Sequence, residues 1–226
     1  MILAMEIIFD VLYLLTIWIL VILMFRKKEN LSTENKKIGI LFLSAFFLLA
    51  LGDTGHVGFR VLAFATGGLD ANPFLVGAGS LATAITVTFF YMITAEIWRV
   101  RISGNKNVLW WILMLTGIVR LIIMIFPQNQ WGQVVPPHQW SLYRNIPLMI
   151  QGLGIGLLIH ISGVKRKDRF LKNISYMIFL SYLFYTPVIL YVQKIPMLGM
   201  LMIPKTLAYV AIAFMAYSLF KEKIRK

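Results

Sequence analysis

Residues 38–65 read IGILFLSAFFLLALGDTGHVGFRVLAFA, and the fold follows from how this stretch is read. It is longer than the roughly 20 apolar residues that a helix needs to cross a bilayer. Within it, Asp53, His56 and Arg60 stand at i, i+3 and i+7, which places all three on one face of a helix. Gly52, Gly55 and Gly58 recur every three residues beside them, leaving room for a neighbouring helix to come close. An ionisable side chain near the centre of a membrane helix costs about 2.5–3.5 kcal/mol on insertion scales. Such groups persist where they pair, line water or act on a ligand. The stretch predicts a membrane helix whose polar face looks inward.

Its surroundings point the same way. The chain has 226 residues, of which 59% are hydrophobic and 14% charged, and its mean hydropathy is +0.79. This is the profile of a polytopic membrane protein. Further apolar runs bring the total to seven, near 4–25, 38–65, 73–98, 108–126, 143–163, 174–193 and 198–220. The expected fold is all-α, a single domain over 1–226. Cysteine is absent, which excludes a disulfide framework, a thiol nucleophile and a zinc–thiolate site.

The net charge of +13 raises nucleic acid as a partner, and the placement of the charges argues against it. Seventeen of the 22 lysines and arginines fall in 26–37, 99–106, 165–172 and 221–226. Each cluster ends an apolar run, and all four share one side if seven helices alternate. By the positive-inside rule the amino terminus lies outside and the carboxyl terminus inside, with membrane lipids as partners. A bacterial plasma membrane is the expected location. The first apolar run precedes its basic residues instead of following them, so it reads as a retained helix, not a cleaved signal.

Five cations lie outside those clusters, and four of them, Arg60, Arg120, Arg144 and Lys205, are inside spans. Arg120 lies about 18 Å above the start of the fourth span, too deep to reach either surface. It calls for a carboxylate, and Asp53 is the acid at comparable depth. Lys205, in Pro204-Lys205-Thr206, is expected about 10 Å below the outer face within a continuous apolar run, with Tyr209 one turn on. Arg144 opens the fifth span beside Asn145, and Gln151 follows on the same face. Pro187 is expected to kink the sixth span. Glu6 and Asp10 are expected to be hydrated at the outer end of the first span, with Asp10 alternatively deep enough to be a second carboxylate of a central site, and Glu96, Arg99 and Arg101 to form an interfacial salt-bridge network. The Trp- and Pro-rich segment 127–140 reads as an aromatic belt with a stiff turn at headgroup level, and alternatively as a lid.

Arg60, Arg120, Arg144 and Lys205 set four cations against one mid-depth acid, Asp53. That excess calls for an anion or a water-filled mouth. We expect an outward-opening cationic cavity that binds or transports a small anion or an anionic lipid headgroup. The arginines would grip it through paired hydrogen bonds, Lys205 through a point charge, and Asn145, Gln151, Tyr185 and Tyr209 through neutral contacts. In a catalytic alternative, Asp53 and His56 act as general base and orienting partner for water. A retinal-type photoreceptor, with Lys205 as the Schiff-base amine and Asp53 as counterion, is a further alternative. No cofactor is expected. A three-histidine metal site would need His56, His138 and His160, which depth separates. Met197, Met200 and Met202 are expected to be flexible packing filler.

Two resemblances extend this reading. Gly52-Asp53 with His56 and Arg60, Phe126 to Trp131, Tyr143 to Pro147 and Met200 to Thr206 resemble corresponding stretches in a group of seven-helix membrane proteins of Gram-positive bacteria. That resemblance implies the fold and no activity. The Gly52-Asp53 pair, followed by a glycine-containing third span that ends in aromatics, is similar to lysoplasmalogenase-like membrane hydrolases. It implies a lipid hydrolase with Asp53 as the catalytic candidate.

Overall fold

A computed structural model describes residues 2–221, with side chains from residue 8 onward. The Glu6 side chain, on which an expectation falls, and the tail cations Lys223, Arg225 and Lys226 lie outside what is described. The chain is all-helical: α1 is Ile2–Arg26, α2 Thr33–Ala65, α3 Pro73–Trp98, α4 Val108–Ile125, α5 His138–Lys165, α6 Arg169–Tyr191 and α7 Met202–Ser218. Among the described residues, seven helices are long and apolar enough to cross a membrane.

Local chemistry sets the helix starts. Ser32 caps α2 by accepting from the Asn35 N–H, and Asn107 caps α4 by accepting from Trp110. Asp168 caps α6 through the Leu171 N–H, which brings that helix in five residues earlier than the apolar run alone predicts. The π-turn Arg99–Ser103 carries Arg101 to Asp168, with Nε 2.8 Å from Oδ2. Burial pushes the Asp168 carboxyl up, but Arg101 and the backbone N–H groups of Leu171 and Phe170 outweigh it and hold the carboxyl below its ordinary value. Glu96, in the last turn of α3, pairs with Arg99 three residues on. The expected network is therefore two separate pairs. α6 runs unbroken through Pro187, and the neighbouring Thr186 hydroxyl donates to the Tyr182 carbonyl.

Each helix packs on the next, α7 packs back on α1, and α3 also touches α5, so the bundle is a closed ring. The most extensive pairing is α2 on α3. Gly52 permits it, since a Cβ there would lie 1.8 Å from the Thr86 hydroxyl. Gly58 faces open space, so the three-residue glycine pattern contributes to packing over part of its length.

The half of the bundle next to the basic segments is filled solid, with Phe46, Tyr91, Ile97, Ile155, Ile159 and Ile178 all but inaccessible. Outward-facing rows such as Leu12, Leu15, Ile19 and Ile22 on α1 are exposed and apolar. A helix that is apolar all round suits lipid on one side and core on the other.

Candidate functional site

The half away from the basic segments holds a cavity of about 740 Å³ to which all seven helices contribute. Along α2 it runs from Leu49 to Arg60, about 16 Å at the helical rise. Tyr13, Asp53, Thr83, Arg120, Arg144 and Lys205 mark it on α1, α2, α3, α4, α5 and α7, and Tyr185 on α6.

Asp53 is held from two sides. The Tyr13 hydroxyl donates to Oδ2 and the Thr83 hydroxyl to Oδ1, each at 2.6 Å. These are short, charge-assisted bonds. Neither partner was evident in the sequence, although Tyr13 follows Asp10 by three residues on one face of α1 and Thr83 lies in a hydroxyl-rich run. The other α3 serine and threonine hydroxyls return to their own backbone, as Thr86 and Thr88 do to Ala82 and Ala84. Asp10 also lines the cavity. It is half-buried there, which places it as a second carboxylate of the site.

Arg120 corrects an expectation. It is 2% exposed, and the acceptors it finds are carbonyl and hydroxyl oxygens, not a carboxylate. Nε donates to the Arg144 carbonyl at 2.8 Å, and one terminal nitrogen donates to the Ala84 carbonyl at 2.7 Å and to the Thr88 hydroxyl. The guanidinium thereby joins α3, α4 and α5. Carbonyls already used in helical bonding still carry a free lone pair, which makes this possible.

Arg144 is tied to the segment after α4. Its guanidinium lies 4.5 Å from the Trp131 ring centroid and donates to Asn129 Oδ1 at 3.3 Å. Asn129 is fully buried, and its amide donates to the Ile123 and Phe126 carbonyls at the end of α4. Trp131 lines the cavity and donates from its indole to the Met124 carbonyl. This tryptophan is turned inward, so the segment is a cover over the site and not solely an aromatic belt.

The start of α7 differs from the expected continuous helix. Pro196–Leu201 is a 3₁₀ segment, and Pro204 stands in the first turn of α7, where a backbone N–H is not needed for intrahelical bonding. Lys205 projects from that same turn. Its ammonium lies 4.9 Å from the Tyr185 and 5.3 Å from the Tyr209 ring centroid. Among the described residues it has no hydrogen bond or ion pair.

Neutral groups complete the wall. The Tyr185 hydroxyl donates to Asn145 Oδ1 at 3.5 Å, and those of Tyr91 and Tyr209 share a hydrogen bond of 2.6 Å. His56 lines the cavity and keeps a buried Nδ1 with no partner. Gln151 is not part of the site. It lies on the face of Arg144 but two turns deeper, below the cavity floor at Leu148, and donates to the Leu113 carbonyl at 3.1 Å. His138 lines the cavity, whereas His160 is at the far end of α5 with Nδ1 3.1 Å from the Ser175 hydroxyl. Met197 is 77% exposed and Met200 44%. Both lie at the cavity rim and so are not packing filler.

The fold and site define a class: an all-helical chain with seven helices long enough to cross a membrane and an interior cavity lined by four cations and two carboxylates. No family model, curated protein or solved structure matches the chain.

Proposed function

We propose that this is an integral protein of a bacterial plasma membrane that binds, and by extension transports, an anionic ligand through a cavity open to the outside. The observation that carries the reading is the charge lining. Arg60, Arg120, Arg144 and Lys205 face the same space as Asp10 and Asp53. The excess is positive, and the Lys205 ammonium lies against the ring faces of Tyr185 and Tyr209 with no hydrogen bond or ion pair among the described residues. A carboxylate or phosphate within reach of Lys205 and the arginines would balance the site. The orientation rests on the positive-inside rule, since the cavity lies at the end away from the basic clusters.

The hydrolase resemblance fits less well. A general base needs an oxygen directed at water, whereas short bonds from Tyr13 and Thr83 tie each Asp53 oxygen to the cavity wall, although each keeps a further lone pair. Asp53 reads better as the fixed counter-charge that sets how much anion the cavity accepts.

The test is a headgroup series. In phosphatidylcholine nanodiscs, thermal unfolding of the protein should shift upward with added phosphatidic acid and not with added diacylglycerol. Lys205→Met should weaken the phosphatidic acid effect about tenfold to hundredfold, the worth of one charge-assisted contact. Equal shifts for both lipids would reject anion recognition.

A further inference from the structure

The two sides of the cavity differ in chemistry. One side, from α2 through α5, carries Asp53, His56, Arg60, Arg120 and Arg144 together with the α3 hydroxyls. The other, formed by the end of α6 and the segment leading into α7, presents Val188, Ile189, Val192, Met197, Met200 and Ile203. Over 188–203 the lining residues include no ionisable side chain, and the polar one, Gln193, donates its amide N–H to the Pro136 carbonyl at 2.8 Å. Lys205 stands where this apolar side meets the polar one.

A site for a small hydrated anion has no use for such a surface. Apolar wall facing a water-filled cavity is unfavourable at about 25 cal/mol per Å², and a hydrocarbon ligand removes that cost. The apolar side also does not stop at the cavity. It continues to the surface through Met197, 77% exposed, and Met200, 44% exposed. Methionine is flexible and polarisable, and it packs against chains of varied shape. On the polar side, the unpartnered and buried Nδ1 of His56 is a hydrogen-bonding group that still needs a partner.

From this segregation we infer that the occupant is an anionic amphiphile. Its charged head lies among Lys205, Arg144 and His56, and its apolar chain lies along 188–203 and leaves past Met197 and Met200. The inference rests on the anion reading and adds the chain. It also gives the 3₁₀ segment Pro196–Leu201 a purpose. A regular helix would bury every side chain of one stripe in the bundle, whereas this short segment leaves its methionines at the mouth.

The probes are hexadecyl phosphate and inorganic phosphate, which share a head and differ in the chain. Affinity is read from the unfolding midpoint in phosphatidylcholine nanodiscs, with wild type, Val192→Asn, Met200→Asn and Lys205→Met side by side. Met200 is exposed, so its variant folds even if the half-buried Val192 does not tolerate asparagine. We expect hexadecyl phosphate to bind wild type at least a hundredfold more tightly than inorganic phosphate, and each wall variant to weaken it about tenfold. Partitioning into the bilayer is the same for all four proteins, so the differences between variants report the wall. Unchanged hexadecyl phosphate affinity in both wall variants, or displacement of it by an equal concentration of inorganic phosphate, would overturn the chain assignment and leave the anion site standing. Equal affinity in wild type and Lys205→Met would remove the anion site, and the chain assignment with it.

Discussion

A guanidinium can be kept inside a bundle by carbonyl and hydroxyl oxygens alone, and Arg120 is kept that way, through oxygens of Ala84, Thr88 and Arg144. Lys205 is a cation at similar depth whose ammonium meets ring faces and cavity. The two should therefore part company on substitution. Arg120→Ala removes three interhelical bonds and should cost about 2–3 kcal/mol of stability. Lys205→Met should leave the unfolding midpoint unchanged or raised, since a desolvated charge is replaced by an apolar chain of similar length. Unfolding of the two variants in the absence of added anion checks both. The residues of this site were legible in the sequence because each breaks an apolar run: Asp53, His56, Arg60, Arg144 and Lys205 do so, and they line one cavity. The partner of Arg120 was not legible, because backbone carbonyls leave no mark on a sequence. Gln151 misled for a related reason, since a helical face gives direction but not depth.

Among the elements, the segment between α4 and α5 shapes the site more than its composition suggested. Asn129 ends α4, Trp131 turns inward over Arg144, and the Trp131 carbonyl rests against Gly77 of α3. A Cβ at Gly77 would lie 1.3 Å from that carbonyl oxygen, so backbone must move to admit one. Gly77→Val should lift the segment, free Arg144 from the Trp131 ring and speed amide exchange over 129–133, with the helices retained. Unchanged exchange would mean that the cover does not rest on α3. An aromatic-belt reading came naturally from tryptophan and proline near a helix end, but the inward turn depends on a contact with a distant glycine. The late start of α7 was hidden likewise, since the methionines of the 3₁₀ segment are as apolar as the helix they precede.

For the whole molecule, the number and type of helices could be read from run length, because a membrane-crossing helix has no alternative way to satisfy its backbone. Boundaries shifted where polar caps extended helices beyond the apolar runs, as at Ser32 and Asp168. The positive-inside rule predicts that the cavity end faces outward. Because the chain contains no cysteine, single substitutions report this directly: Gln133→Cys should react with an impermeant maleimide on intact cells, and Lys167→Cys should react only after lysis. The reverse pattern would invert the topology. Under the proposed function, the cavity is filled by an anion held at Lys205. Native mass spectrometry of gently released wild type and Lys205→Met tests it most directly. Wild type should carry an anionic adduct of defined mass that survives activation and is absent from the variant. The same adducts on both proteins, shed equally, would contradict it and reduce the cluster to a structural network.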